Sequence, residues 1–187
     1  IIHLENGKKA VFSDHRRFGY MDYFMTSDEK NHTLLKDIGP EPNPFELSPK
    51  ILASRLRGKK ATIKSALLNQ KNVAGLGNIY VCEILFRSRI SPKRLARDIT
   101  GKTGITKKIE LMTSAIHEVI IEAIDAGGST LQDFRGVGGE DSIGYFSHNF
   151  AVYDRQGEEC INSKCSAKIK RITQSNRSTF YCPNCQR

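Results

Sequence analysis

Residues 160–187 read CINSKCSAKIKRITQSNRSTFYCPNCQR, and their four cysteines decide how the end of this chain folds. Cys160, Cys165, Cys182 and Cys185 follow the pattern C-x4-C-x16-C-x2-C. Two thiolate pairs, each close enough to chelate and separated by an insert of hairpin length, match the closed tetrahedral site of a structural zinc ion. Four protein ligands leave no position for water, so such an ion holds the fold and performs no chemistry. Disulfides would need an exported protein, and the N-terminus, Ile-Ile-His-Leu-Glu, has no basic stretch leading into an apolar one. The first cysteine pair is wider than the second, which predicts a longer knuckle on that side.

Between the pairs, Lys168, Lys170 and Arg171 lie on the first arm of the expected hairpin and Arg177 near its tip. A solvated charged face is one reading of them. A metal-stapled hairpin also holds its tip rigidly, which suits an arginine set against a phosphate or into a groove. The charge around them favours a polyanion. The formal net charge is +9, but residues 1–50 carry 7 Lys/Arg against 8 Asp/Glu, whereas residues 160–187 carry six basic residues and no acidic one. A one-sided excess of this kind is the footprint of nucleic-acid binding.

Upstream, the 187 residues are 39% hydrophobic, enough to bury a core, and no apolar run approaches the roughly 20 residues of a membrane span. Residues 1–25 read as β-structure, with Asn6-Gly7 turning between Ile1–Leu4 and Ala10–Phe12. Two strands alone are marginal in water and need a sheet to join. Residues 30–135 read as helical. Ser48-Pro49 and Ser91-Pro92 each set a capping serine before a first-turn proline, and Gly58 stops the first of these helices. Ile105, Ile109, Met112, Ile116, Val119, Ile120, Ala123 and Ile124 form one helical stripe ended by Gly127-Gly128. Residues 79–86 are apolar at seven of eight positions, the mark of a buried helix, in which Cys82 reads as a small core residue. Residues 135–144 are glycine-rich and read as a flexible loop, and residues 150–187 return to β-like alternation.

Two further segments carry possible chemistry. Gly75-Leu76-Gly77-Asn78 precedes the buried helix, where bare backbone N–H groups attract an anion. Asn78 can cap that helix or bind a phosphate, and Lys60 and Lys64 can add cations to the same track. A plain turn and cap is the alternative. Asp14-His15-Arg16-Arg17-Phe18-Gly19 sets two guanidinium groups beside a ring. Such a group can wedge a duplex, the ring unstacking a base step. Otherwise it is a salt bridge with Asp14 and a core phenylalanine.

In order along the chain, Asp-x-Arg-Arg-Phe-Gly at 14–19, Gly-Pro-Glu-Pro at 39–42, Ala-Gly-Leu-Gly-Asn-Ile-Tyr ending at Tyr80, Gly-Gly-Ser-Thr-Leu-x-Asp-Phe at 127–134 and Arg-Ser-Thr-Phe-Tyr-Cys at 177–182 resemble the bacterial formamidopyrimidine-DNA glycosylases. The resemblance implies an α+β chain: the C-terminal strands of a β-sandwich at 1–27, a helix–two-turn–helix domain at 28–149 and a zinc-finger β-hairpin at 150–187. It implies base-excision repair, in which oxidised purines (formamidopyrimidine, 8-oxoguanine) are removed and the abasic site is cleaved by β,δ-elimination. Arg16 and Phe18 match the family's wedge beside the flipped base, and Arg17, Lys60 and Asn78 match DNA-contacting positions. Arg177 matches the finger arginine that contacts phosphate and donates a proton in δ-elimination. The stretch 136–144 corresponds to the loop over the flipped base. His15 stands where the family usually has Pro, a departure that touches none of these roles.

The family's nucleophile is an N-terminal proline amine followed by Glu, with a Lys further on in the same domain. Ile1 is not that proline, and no residue matches the Glu or the Lys. The resemblance therefore implies a C-terminal part lacking most of the catalytic sandwich: a glycosylase and lyase by family, inactive as it stands. The implied cofactor is one structural Zn2+. The implied partner is double-stranded DNA carrying an oxidised purine or abasic site, with no membrane, in a bacterial, nucleoid-associated, cytoplasmic protein that is monomeric at full length. The competing expectation is a non-enzymatic zinc-ribbon nucleic-acid-binding module.

Overall fold

The computed structural model describes residues 1–12, 14, 17, 19–101, 104–128 and 150–187. Its contacts divide the chain into two units, Ile1–Lys36 and Asp37–Arg187.

In the first unit, β1 (Ile2–His3) and β2 (Lys9–Ala10) pair antiparallel around Gly7, whose φ is +76°. The hairpin expected from Asn6-Gly7 is there, but each strand is two residues long and exposed, and no third strand joins them among the described residues. A 3-10 helix, Thr26–Asn31, follows. Helical structure expected from residue 30 onward begins in earnest only at Pro49.

Among its described residues the second unit holds five α-helices and a hairpin. α1 (Pro49–Leu56) starts where the sequence places it: Ser48 Oγ accepts the Ile51 N–H, and Pro49 occupies the first turn, whose N–H would have no partner anyway. α2 (Ile63–Leu68) is capped by Thr62 in the same manner. α3 (Asn78–Arg87) follows a turn through Gly75, whose φ of +70° suits glycine. α4 (Ala96–Thr100) is short. α5 (Lys107–Asp125) is capped by Thr106, which accepts the Ile109 N–H and donates to Ile99 O at 2.7 Å.

Two expectations need correcting. Ser91-Pro92 begins a turn, not a helix, because residues 94–96 pair like a strand with 61–63: Ile63 N–H donates to Arg94 O, Ala96 N–H to Ala61 O, and Thr62 bridges Leu95. Satisfying those backbone groups laterally postpones α4 to Ala96. Of the α5 stripe, Ile109, Met112, Ile116, Val119 and Ala123 are buried, but Ile105 lies before the helix and is 46% exposed, and Ile124 is 70% exposed. The helix ends as expected, with Gly127 and Gly128 both at positive φ and their N–H groups returning to Ile124 O and Ala123 O.

The helices share one core, which includes Leu47, Leu52, Leu56, Leu67, Ile84, Leu85, Ile116 and Val119. Gly39-Pro40 is threaded against it. Gly39 N–H donates to Gln70 O and Ala74 N–H to Pro40 O, and a Cβ on Gly39 would lie 2.8 Å from the Asn72 carbonyl carbon, so the approach requires glycine. A second, smaller apolar cluster joins Cys82 of α3 to Val152, Cys160, Ile169, Phe180 and Cys182. Around it β3 (Lys170–Gln174) and β4 (Arg177–Tyr181) pair antiparallel in the register Gln174 opposite Arg177. No helix among the described residues is long and apolar enough to cross a membrane.

Candidate metal centre and nucleic-acid interface

Cys160, Cys165, Cys182 and Cys185 converge at the base of the β3–β4 hairpin, with their sulfurs all within 4.8 Å of one another. The Cys160–Cys185 and Cys165–Cys182 Sγ separations are 3.8 and 3.7 Å. A tetrahedron with zinc–sulfur bonds of roughly 2.3 Å has sulfur–sulfur edges of about 3.8 Å, whereas a disulfide would need about 2.05 Å. The donor set and its spacing therefore fit zinc. The knuckles supply N–H groups to the sulfurs: Cys185 N–H points at Cys182 Sγ at 3.4 Å, and the Asn162 side-chain amide at Cys185 Sγ at 3.6 Å. Burial pushes the Cys160 thiol up to about 12, while the Ala167 N–H draws the Cys165 thiol down. A cation binding all four as thiolates displaces those protons.

From this base β3 runs out to Ser175 and Asn176, at φ +49° and +56°, and β4 returns from Arg177. A two-residue loop with both central residues at positive φ matches the twist of the strands it joins. Arg177 is thus the first residue after the loop, and it is exposed. Beneath it the hairpin is bolted to the helices. Ser178 O accepts from both Lys64 Nζ at 3.1 Å and Asn78 Nδ2 at 2.9 Å, and Lys64 Nζ also donates to Thr179 Oγ1 at 2.6 Å. Ser65 Oγ meets Ser175 Oγ at 3.0 Å. Gln174 and Gln186 reach Pro92 O and Ile90 O, and Gln186 Oε1 accepts the Cys182 N–H.

Lys64 is fully buried, so it is no cation on a phosphate track as its sequence position suggests; it is an internal clamp. Burial holds its ammonium below the usual 10.5, and the Arg177 charge pushes the same way. Asn78 does not cap α3, whose cap is Gly77. Its amide nitrogen donates one hydrogen bond to Ser178 O, and its buried Oδ1 has no partner among the described residues. Cys82 is buried as expected, and burial raises its thiol, which makes it inert.

Residues 38–135 match the formamidopyrimidine-DNA glycosylase H2TH domain, and residues 157–187 match the zinc finger found in FPG and IleRS. The chain belongs to the formamidopyrimidine-DNA glycosylase family. A formamidopyrimidine-DNA glycosylase of Rhodopseudomonas palustris (strain BisA53) is 50% identical over 190 residues, covering all of this chain and 64% of that protein. The chain thus spans 62–64% of the length of such curated relatives. Among solved structures, the complex between the Lactococcus lactis Fpg and an abasic site containing DNA superposes with a TM-score of 0.74 at 36% identity, covering 87% of this chain and 56% of that one. MutM in complex with carbocyclic 8-oxo-G containing DNA does so with the same TM-score and identity, over 87% and 55%.

Of the residues that resemblance to the family singled out, the structure brings Asn78 and Arg177 together through Ser178 O. Lys60 is exposed just before the Thr62–Leu95 bridge. Arg17 is exposed in the first unit with φ +56°, its N–H donating to Asp14 O and Oδ1, and the Gly19 N–H also donates to the Asp14 carboxylate. Arg16, Phe18 and the glycine-rich stretch 136–144 lie outside the described residues.

Residues the sequence did not flag turn out to position these groups. Gln70 braces the turn before α3, accepting the Gly75 N–H at 2.7 Å and donating to Leu76 O at 3.1 Å. Glu83 is fully buried, and its oxygens accept the N–H groups of Ala151, Val152 and Tyr153 at 2.8, 3.0 and 2.8 Å.

Proposed function

We propose that these residues grip damaged duplex DNA within a base-excision enzyme that removes oxidised purines and cleaves the resulting abasic site by β,δ-elimination. The observation that carries this reading is the double clamp on Ser178 O. Lys64 and Asn78, both on helices, fix the backbone beside an exposed arginine at the head of β4. An arginine whose neighbouring backbone is held in this way is presented toward a phosphate, where its guanidinium can donate paired hydrogen bonds and offer a proton to the leaving phosphate oxygen in δ-elimination. Lys60, Arg17 and Asn78 join Arg177 in contacting the backbone, and Arg16 and Phe18 wedge the space beside the flipped base. One zinc ion, held by Cys160, Cys165, Cys182 and Cys185, stabilises the finger that presents Arg177.

The parts follow in the order 1–27, strands of the N-terminal sandwich; 28–149, helix–two-turn–helix domain; 150–187, finger. The family matches at 38–135 and 157–187 fall inside the second and third, although by contact residues 28–36 go with the first. The enzyme works as a monomer among the DNA of a bacterial cytoplasm. The nucleophile is an N-terminal proline amine, which these 187 residues do not contain, so on their own they bind without reacting.

The test is binding of the zinc-loaded chain to a duplex bearing a tetrahydrofuran abasic analogue and to the intact duplex. Marked preference for the abasic duplex, weakened roughly 10-fold or more by Arg177→Ala at unchanged zinc content, is the expected result. Equal affinity for both duplexes would leave a zinc-ribbon binding module instead. Borohydride should trap no covalent adduct on a natural abasic site; a trapped adduct would overturn the assignment of the nucleophile.

A further inference from the structure

The first cysteine pair encloses four residues, where the second encloses two. In the second knuckle the sulfur is served locally: Cys185 N–H points back at Cys182 Sγ. In the first, Asn162 organises the wider loop. Its carbonyl accepts the Cys165 N–H at 2.8 Å and its Oδ1 accepts the Lys164 N–H at 3.2 Å. An Asn whose side-chain oxygen takes the N–H two residues on forms an Asx turn. With Oδ1 committed to Lys164, the other end of the amide must face away from that N–H, and there it lies 3.6 Å from Cys185 Sγ, across the metal centre. The two extra residues therefore give the site a donor from one knuckle to a sulfur of the other.

We propose that Asn162 is a positioning residue of the metal centre, its side-chain amide hydrogen-bonding the Cys185 thiolate and holding it for the ion. The inference rests on the zinc reading above and adds to it a residue outside the ligand set. A thiolate in a site of four carries excess negative charge, and an N–H directed at it relieves that charge and fixes the sulfur lone pairs toward the metal. Groups that orient metal ligands in this way commonly change affinity by roughly 10–100-fold when removed.

Asn162→Asp separates the two roles of the side chain. Aspartate keeps the oxygen that accepts the Lys164 N–H, so the turn survives, but it sets a carboxylate against the sulfur in place of a donor. Asn162→Ala loses both. The purified zinc-loaded chain and its two variants would be challenged with a chromogenic chelator, and the rate of zinc release followed. Release should quicken roughly 10-fold in Asn162→Ala and further in Asn162→Asp. In cobalt-substituted protein, the sulfur-to-cobalt charge-transfer band should move to lower energy in both, because a thiolate without its donor gives up an electron more easily. If Asn162→Asp releases zinc like the unchanged protein while Asn162→Ala does not, the residue only shapes the turn and the inference is overturned. Elemental analysis of the unchanged protein separates the two levels: absence of tightly held zinc there would remove the metal centre itself, not only its support.

Discussion

Glu83 occupies the one polar position in a helical stretch otherwise made of Ile, Tyr, Val, Cys, Leu and Phe, and it is completely buried. Its two oxygens take three consecutive N–H groups at Ala151, Val152 and Tyr153, the residues that lead into the finger. A carboxylate out of water is tolerable only when so supplied with donors. Glu83→Gln keeps one acceptor and turns the other into an amide facing a backbone N–H, so we expect a loss of about 2–3 kcal/mol in urea unfolding. An unchanged midpoint would show that those three N–H groups do not depend on the carboxylate. The burial of this helix was legible in its sequence, because apolar residues all round a helix leave no face for solvent. The carboxylate's purpose was not, since its partners lie 68 to 70 residues further on. Lys64 was misread for the same reason: its neighbours in sequence suggested a cationic surface, but its acceptors are 114 and 115 residues away. Spacing reveals ligands that sit close together in the chain, as the cysteines do, and says little about a polar group that meets its partner only in the finished fold.

Among the elements, α3 is central, packed against α5 on one side and β4 on another. Arg87 near its end donates through its two terminal guanidinium nitrogens to the two oxygens of Glu122 on α5, each at 2.6 Å. The hydrogen bonds from Arg87 hold the Glu122 carboxyl below its usual value of 4.5. With the folded value depressed, the pair contributes stability that is present above about 4.5 and lost as pH falls through the folded value. Glu122 is 44% exposed at its side chain, so the contribution is modest, at most about 1 kcal/mol. Glu122→Gln should be less stable than the unchanged protein near pH 7, and the difference should shrink as the pH falls below about 4.5. A constant difference across that range would mean the carboxylate charge is not what joins the helices. The boundaries of α1 and the end of α5 were readable because Ser48-Pro49 and Gly127-Gly128 act within a turn of themselves. Ser91-Pro92 misled because the backbone beyond it pairs sideways with residues 61–63, a tertiary contact that local capping rules do not contain.

At the scale of the Asp37–Arg187 unit, two apolar clusters of unequal size share α3. The helical cluster is large enough to stand without a metal. The finger's cluster is a handful of side chains, three of them cysteines, with a two-stranded hairpin, and such a piece cannot offset its own ordering entropy. Stripping the metal should therefore divide the unit. Far-UV circular dichroism at 222 nm should keep most of its helical signal after exhaustive chelation, while amide exchange at Lys170–Tyr181 quickens by orders of magnitude. The Lys64 and Asn78 clamps would then hold a strand whose base is loose, and Arg177 would no longer be fixed. Affinity for the abasic duplex should fall toward the weak, salt-sensitive level that a net charge of +9 supplies without geometry. That residual binding distinguishes loss of positioning from loss of charge, because the arginine remains in the chain and only its placement changes. Undiminished affinity in protein shown by elemental analysis to be free of metal would mean that the helices alone grip the duplex and that the finger's arginine is a bystander.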